Sequence, residues 1–367
     1  MKTALVHDWL NQIGGAESVL ESLVSMYPDA PVYTSIFARD KMPPAFGEWD
    51  VRTLWMDNLP LIHDQHQPYL PLYPAAFGNL DMSDYDLVIS NKSGFCHGIK
   101  TGHALHICYC LAPTRYVWQF DSYIQGENLV YRSAAPILRR AVERLKSWDY
   151  RAAQKVGHFI AISSDIQRRI AQFYNRESTI IYPPVDTQRF DVSVQPEDYF
   201  LVVSRLIPYK RVDLAVQACT ELDLPLIVCG SGRDHERLES MAGPTVTFKG
   251  RVSDDELPSL MARCKAFIFP GLEDFGIAPV EAQAAGRPVI AFRGGGALDT
   301  IVEGKTGLFF DNPNVKDLCL ALNQFADMRF SPDECRQNAS RFESELFKRE
   351  LAGFIEKRYD DHRKARG

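Results

Sequence analysis

Short apolar runs recur along the chain, each followed by a polar loop and then by a segment with apolar residues at helical spacing. In the first half, Thr3 to Val6, residues 31–37 and 51–56, Asp86 to Ser90, His103 to Leu111, His158 to Ser163 and Thr179 to Tyr182 read as strands. Val19, Leu20, Leu23, Val24 and Met26 fall on one helical face, which predicts a helix over 16–26. Two more helices are predicted over 132–156 and 165–174. Residues 58–79, crowded with proline, tyrosine and histidine, yield no element. The run PPVDTQRFDVSVQPED that follows Tyr182 is polar and punctuated by proline, and reads as a linker.

From Tyr199 the alternation resumes, with strands over 199–204, 225–229 and 245–249 and helices over 211–220, 233–241 and 254–263. The strand Phe267 to Phe269, the loop GLEDFG, an alanine-rich helix stopping at Gly286 and a strand from Pro288 to Phe292 come next. Repeated strand–helix units imply parallel sheets with helices on both faces. Two such series joined by one linker predict an α/β protein of two Rossmann-like domains, residues 1–183 and 184–343. The remaining segment, 344–367, carries Leu346, Phe347, Leu351, Phe354 and Ile355 at helical spacing.

In open parallel sheets, ligands bind where loops leave the carboxyl ends of strands. Three such loops carry candidate chemistry. The first, NQIGGAE, places Gly14 and Gly15 just ahead of a helix, where free N–H groups and the absence of a side chain favour phosphate. The second follows a strand with Ser204 and Arg205 and reaches Lys210 before the next helix, so two cations can share a diphosphate. The third holds Glu273, with Glu281 eight residues on. A helix of that length rises about 12 Å, so the two carboxylates touch different parts of one long ligand and do not flank a single bond. GSGRDH at 230–235 imitates a dinucleotide fingerprint but has His235 where its third glycine belongs.

The motif EDFGIAPVEAQAAGRPVIA, followed by GGALDT and GKTGLFF, resembles the signature of family 4 of retaining, nucleotide-sugar-dependent glycosyltransferases. The likeness extends through VVSRLIPYKRVDLAV, YPPVDTQRF and VHDWLNQIGGAESVL, and so over nearly the whole chain. Within that family the chain is most similar to bacterial enzymes that add mannose or a related sugar during surface polysaccharide assembly. The resemblance implies a GT-B fold, two facing Rossmann-like domains with the active site in the cleft between them and the last helix crossing back to the first domain. It implies transfer of a hexose, most plausibly mannose from GDP-mannose, to a saccharide or lipid-linked saccharide.

By the same resemblance, Arg205 and Lys210 neutralise the leaving diphosphate, Glu273 with the backbone of Phe275, Gly276 and Ile277 holds the sugar, and Glu281 holds the ribose. Gly14 and Gly15 lie against the diphosphate and sugar, and main chain at Arg251 and Val252 meets the base. Arg115 and Tyr116 stand where the resembled enzymes face the cleft, on the acceptor side; independently of the resemblance, the glycine-rich connection carrying His97 and Lys92 reads as opening toward the same cleft as the Gly14 loop, which makes His97 an acceptor-site candidate. No metal or cofactor is implied, because Arg and Lys supply the positive charge. The chain departs from the pattern at Leu111, where many relatives carry a histidine that contacts the donor sugar. A non-catalytic nucleotide-sugar binder, or a nucleotide-dependent oxidoreductase or epimerase, is the rival reading.

Charge and composition narrow the partners. The formal net charge of −6 gives no general attraction to nucleic acid. MKTALVHDW reads as a first strand and not a signal peptide, and no apolar run approaches the roughly 20 residues needed to span a bilayer. The eight cysteines lack metal-ligand spacing, and those within strand runs suit a reducing cytoplasm. Arg132, Arg139, Arg140, Arg144, Lys146 and Arg151 give the helix 132–156 a basic face, diluted by Glu143 and Asp149 and interleaved with Ile137, Leu138, Leu145 and Trp148. That face suits peripheral contact with the anionic inner leaflet of the cell membrane.

Overall fold

The computed structural model describes residues 1–120, 135–192 and 195–366, with side chains of the first long helix described from residue 139. The chain divides into two units, Met1–Pro184 with Phe347–Gly367, and Val185–Leu346. In unit 1, seven strands form one parallel sheet: β1 (Thr3–His7), β2 (Val32–Thr34), β3 (Val51–Thr53), β4 (Leu87–Lys92), β5 (Leu105–Cys110), β6 (His158–Ala161) and β7 (Ser178–Ile180). Their spatial order is β3-β2-β1-β4-β5-β6-β7. β1, β4 and β5 are buried along their whole length, as continuous apolar strands covered on both faces must be.

Unit 2 has a six-stranded parallel sheet of β8 (Phe200–Val203), β9 (Leu226–Cys229), β10 (Val246–Gly250), β11 (Ala266–Phe269), β12 (Val289–Phe292) and β13 (Gly307–Phe310), in the order β10-β9-β8-β11-β12-β13. The order reverses direction at β1/β4 in the first sheet and at β8/β11 in the second. Those are the topological switch points, where loops leave in opposite directions and open a crevice.

Several helix ends follow from local sequence. Ser163 accepts from the Ile166 N–H at the start of helix Ser164–Tyr174, whose end is turned by left-handed Asn175. Ser331 caps helix Pro332–Ala339 in the same way, with proline in its first turn. The pattern names no element between Phe292 and Ser344, yet β13 and helices Val315–Ala326 and Pro332–Ala339 lie there. Residues 58–79 contain a short helix, Tyr73–Gly78, whose Tyr73 and Phe77 are fully buried in the unit 1 core. Strands β2 and β3 are shorter than the runs that announce them.

Two buried carboxylates organise unit 1. Asp8, directly after β1, has no exposed surface. Its carboxylate accepts backbone N–H bonds from Ser93 (2.7 Å), Gly94 (2.6 Å), Phe95 (2.6 Å) and Cys96 (2.8 Å), the turn that leaves β4. Convergent turn amides make an anion cradle, and here the chain fills it with its own anion. Any side chain at Gly94 would bring a Cβ within 2.8 Å of the Trp9 ring and 2.9 Å of Asp8 Oδ1.

The second charge is Asp149, from helix Ala135–Ala153. It accepts from Thr114 Oγ1 (2.9 Å), Trp118 Nε1 (2.7 Å) and the Tyr174 hydroxyl (2.7 Å). Lys92 is equally buried and donates to Ala112 O and Thr114 Oγ1, each at 3.2 Å. Burial acts to lower the Lys92 amine, but anionic neighbours led by Asp149 outweigh it and hold its pKa above the ordinary value. The segment from Phe347 onward belongs to unit 1. Phe347 meets Tyr109 edge-on, and His362 Nε2 lies 2.9 Å from the His103 carbonyl.

Replacing Asp8 by alanine strands up to four buried N–H groups, so Asp8→Ala should destabilise the protein by at least about 3 kcal/mol. Asp8→Asn, which keeps one acceptor oxygen, should lose less. Urea denaturation curves check the ranking, and equal midpoints for Asp8→Ala and wild type would contradict it.

Candidate active site

The loops at the β8/β11 switch point carry the two cations and one of the carboxylates singled out by sequence. Ser204 to Lys210 leaves β8, and Pro270 to Gly276 leaves β11. The first loop is held from behind by GSGRDH: Leu206 N donates to Ser231 O (2.9 Å) and Asp234 N donates to Leu206 O (3.0 Å). A Cβ at Gly230 would stand 1.8 Å from Ser204 O, and one at Gly232 2.2 Å from Leu206 O. The glycines that imitate a dinucleotide fingerprint are thus there so that the Arg205 loop can pack on them.

The second loop is held by Gly295 and Gly296. Gly296 N donates to Glu273 O at 2.9 Å, and a Cβ at Gly295 would fall 2.1 Å from that same oxygen. Between these supports, Lys210 Nζ and the Glu273 carboxylate form an ion pair, both side chains mostly buried. Arg205 is exposed and donates from Nη2 to the Tyr209 hydroxyl at 3.2 Å. Gly276, left-handed at φ 90°, starts helix Ile277–Ala284 and leaves Phe275 buried and Ile277 half-buried at its mouth.

Glu281, on the same helix, has different neighbours. Burial pushes its carboxyl above the ordinary value of 4.5; Arg189 opposes the rise, and Asp254 and Asp186 add to it. Arg251, exposed, and Val252, half-buried, follow β10 through left-handed Gly250.

At the β1/β4 switch point of unit 1 the charges are reversed. Gly14 is extended (φ −172°), and a Cβ there would meet only Glu17 Oε2, at 3.5 Å. Neither backbone conformation nor internal packing requires glycine at 14. Gly15 begins helix Gly15–Met26. The first turn of that helix already carries a buried acid: Glu17 Oε1 lies 3.4 Å from His7 Nε2. Asn91 Nδ2 donates to Ala16 O (2.7 Å) and lies 3.2 Å from His7 Nδ1. Asp8, His7, Glu17 and Asn91 escaped sequence reasoning. The one readable signal was an acid in the first turn of a helix.

His97 and Lys92 do not open toward the Gly14 loop. His97 is 1% exposed, stacked on Tyr174 and edge-on to Trp148, with Nε2 3.4 Å from Asp149 O. Burial, reinforced by the Lys92 charge, pushes its pKa down to about 4. The reason is helix Ala135–Ala153, whose Asp149 and Trp148 close over the loop. Arg115 and Tyr116 are half-buried on the short helix Arg115–Trp118, Tyr116 edge-on to Trp9. Leu111 is buried, its N–H bonded to Lys92 O at 2.8 Å.

On the long helix, Asp149, Trp148 and Leu145 turn inward, so of the two acids expected to dilute its basic face Asp149 does not lie on it, while Glu143 stays exposed. Arg139, Arg140, Arg144 and Arg151 are exposed, and Lys146 pairs with Glu143 at 2.8 Å. Arg132 and the side chains of Ile137 and Leu138 lie outside the described residues. Among the described residues no helix is long and apolar enough to cross a membrane.

Comparison with known proteins identifies the class. Residues 13–189 match the family described as Glycosyltransferase Family 4, and residues 185–342 match Glycosyl transferases group 1. The chain belongs to these glycosyltransferases, a family 4 domain followed by a group 1 domain. Across 178 residues it is 32% identical to a GDP-mannose-dependent alpha-(1-6)-phosphatidylinositol monomannoside mannosyltransferase of Mycolicibacterium smegmatis, covering 40% of this chain and 47% of that protein. It is 29% identical to the O-antigen chain mannosyltransferase RfbU of Salmonella typhimurium over 46% of this chain and 47% of that one. The matches span about half the length of these relatives. The structure of Anabaena HepE in complex with UDP-glucose superposes with a TM-score of 0.72 at 19% identity, over 97% of this chain and 99% of that one. Sucrose-phosphate synthase of Thermosynechococcus elongatus gives 0.70 at 16% identity, over 98% and 100%. The two Rossmann-like units are those of the GT-B fold.

Because the folded state raises the Glu281 pKa, ionising that carboxyl costs stability. The contribution is intact below pH 4.5 and is lost as pH rises through the folded-state value. Glu281→Gln should therefore raise the melting temperature at pH 7, with the advantage over wild type vanishing below pH 4.5. Melting curves across that range test the sign, and a lowered melting temperature at pH 7 would reverse it.

Proposed function

We propose that the protein is a retaining hexosyltransferase that moves mannose from GDP-mannose to a saccharide or lipid-linked saccharide hydroxyl. The observation that supports this most directly is the pair of glycine-backed loops at the β8/β11 switch point, which bring Lys210 against Glu273 with Arg205 on the same loop. Two cations at the carboxyl end of a parallel sheet suit a diphosphate that gains charge as it leaves. The mannosyltransferase relatives favour mannose and the guanosine donor.

In this reading Arg205 and Lys210 hold the diphosphate, and Glu273 exchanges part of its bond with Lys210 for hydroxyls of the sugar. The N–H groups at Phe275, Gly276 and Ile277 add donors to the same end. Glu281 accepts from the ribose hydroxyls, whose donors replace the water that burial removes, and main chain at Arg251 and Val252 meets the base. The bond from the anomeric carbon to the β-phosphate oxygen breaks while the acceptor oxygen bonds to the same face, and the acceptor proton passes to the departing phosphate. No side-chain base is then needed, which accommodates Leu111. Metal is dispensable where two side-chain cations neutralise the leaving group.

Gly14 and Gly15 offer open backbone, and the acid at Glu17 makes that loop better suited to neutral hydroxyls than to phosphate. Arg115 and Tyr116 stand on the acceptor side. The protein works in the cytoplasm, with Arg139, Arg140, Arg144 and Arg151 resting on the anionic inner face of the membrane. Each such contact contributes about 1 kcal/mol.

Arg205→Ala and Lys210→Ala should each fold normally and lose roughly 100- to 1,000-fold in kcat, about 2.7–4 kcal/mol of barrier. Turnover with a panel of labelled nucleoside diphosphate sugars, with anomeric configuration read by NMR, tests the reading. Wild type that transfers no sugar from any donor while still binding one would replace the enzyme with a binding protein.

A further inference from the structure

Unit 1 contains a cavity of about 420 Å³ far from the loops just described. It lies at the amino ends of β6 and β7, whereas Asp8, Lys92 and Leu111 mark the carboxyl end of the same sheet. Its wall is made by His158, Arg176, Ser178 and Thr179 together with Phe354 and Arg358 of the last helix.

Two cations meet there, and among the described residues neither forms an ion pair with a carboxylate, although Asp361 lies near enough to act on His158. The Arg176 guanidinium donates only to carbonyls, from Nη1 to Ala153 O (2.8 Å) and from Nη2 to Val156 O (2.7 Å) and Gly157 O (3.0 Å). It caps the end of helix Ala135–Ala153, where the helix dipole favours a cation, and among the described residues no carboxylate pairs with it. Arg358 lies over the Phe354 ring at 5.2 Å, and its Nε is buried with no hydrogen-bond partner; the Ser178 hydroxyl is in the same condition. A buried donor left unpaired is costly, and two of them in one cavity is a rare coincidence in a folded chain. Both can give a hydrogen bond to an oxyanion. Glu177 lines the cavity as well, but it is exposed, where water screens it. Burial lowers the pKa of His158, and the charges of Arg358 and Arg176 lower it further, with Asp361 opposing them.

We propose that this cavity is a second anion site that takes a phosphate monoester, held by Arg358 Nε–H and the Ser178 hydroxyl in the field of Arg176, with the Phe354 ring beside the ester's organic body. The cavity is larger than a bare phosphate needs, so the ester and not the free ion fits it. The same chemistry is offered by a soluble sugar phosphate and by a lipid headgroup. The site is independent of the donor loops, and the proposal stands whichever sugar the enzyme transfers.

The test is calorimetric titration of the full chain with glycerol 3-phosphate and with inorganic phosphate, alongside sedimentation with phosphatidylcholine vesicles with or without phosphatidic acid. Arg358→Gln and Ser178→Ala are compared with wild type, and Lys210→Ala controls for anion uptake at the Ser204–Lys210 loop. The expected result is tighter binding of glycerol 3-phosphate than of phosphate, weakened at least about tenfold by Arg358→Gln, weakened also by Ser178→Ala, and unchanged in Lys210→Ala. Phosphatidic acid-dependent sedimentation that Arg358→Gln abolishes would support the site and assign it to a lipid headgroup. Binding of the soluble ester without sedimentation would support it and assign it to a soluble ligand. The proposal is overturned if both cavity variants bind as wild type does, if Lys210→Ala removes all binding, or if neither ester nor vesicle binds.

Discussion

The carboxyl end of a parallel sheet gathers turn amides that need an acceptor, and the molecule meets that constraint in opposite ways in its two units. In unit 1 Asp8 supplies the acceptor from within, and its carboxylate takes four N–H groups of the turn after β4. With the turn fixed, Gly94 lies against Trp9, β4 and β5 end in register, and helix Ala135–Ala153 has a surface on which to close. In unit 2 the switch point is built differently. Glu273 lies there instead, paired with Lys210 and held by glycines behind both loops.

Under the proposed function this asymmetry would sort ligands by charge. In that reading a diphosphate meets an acid at Glu17 near the Gly14 loop, and on unit 2 two cations, one largely buried and one exposed. The Lys210–Glu273 pair holds both side chains in place, which in the proposed reaction would reduce the reorganisation needed when charge develops. Glu281 shows the complementary strategy. A carboxylate forced into a poorly hydrated place is a strong acceptor for hydroxyl donors that enter with a ligand, at the expense of fold stability near neutral pH.

Asp149 and Lys92 give the long basic helix its two faces. Their buried network with Thr114, Trp118 and Tyr174 fixes the helix's rotation, which turns Trp148 inward and leaves the arginines out. Removing one partner of such a network leaves the other charged and buried, so the pair sets orientation more than it adds stability. The same closure buries His97 and Lys92, and it explains why residues that a glycine-rich loop seemed to present to solvent are core residues.

The sequence by itself determined the alternation of strands and helices, two parallel sheets, the loops bearing Arg205, Lys210 and Glu273, and the family, because short-range periodicity and contiguous motifs carry all of these. The tertiary structure alone decided what depends on residues far apart in the chain. Asp8 reads as an unremarkable acid after a strand until the turn 93–96 folds around it, 85 to 88 positions away. GSG at 230–232 reads as a broken fingerprint until Ser204–Leu206 packs on its bare backbone. Helix Pro332–Ala339 escaped because its apolar residues are few, whereas Val315–Ala326, with Leu318, Ala321, Leu322 and Phe325 buried at helical spacing, carried a periodic signal that the reading passed over. Whether a charge is exposed or buried is a property of neighbours brought in from elsewhere, so the burial of His97, Lys92 and Asp149 had no local signature to read.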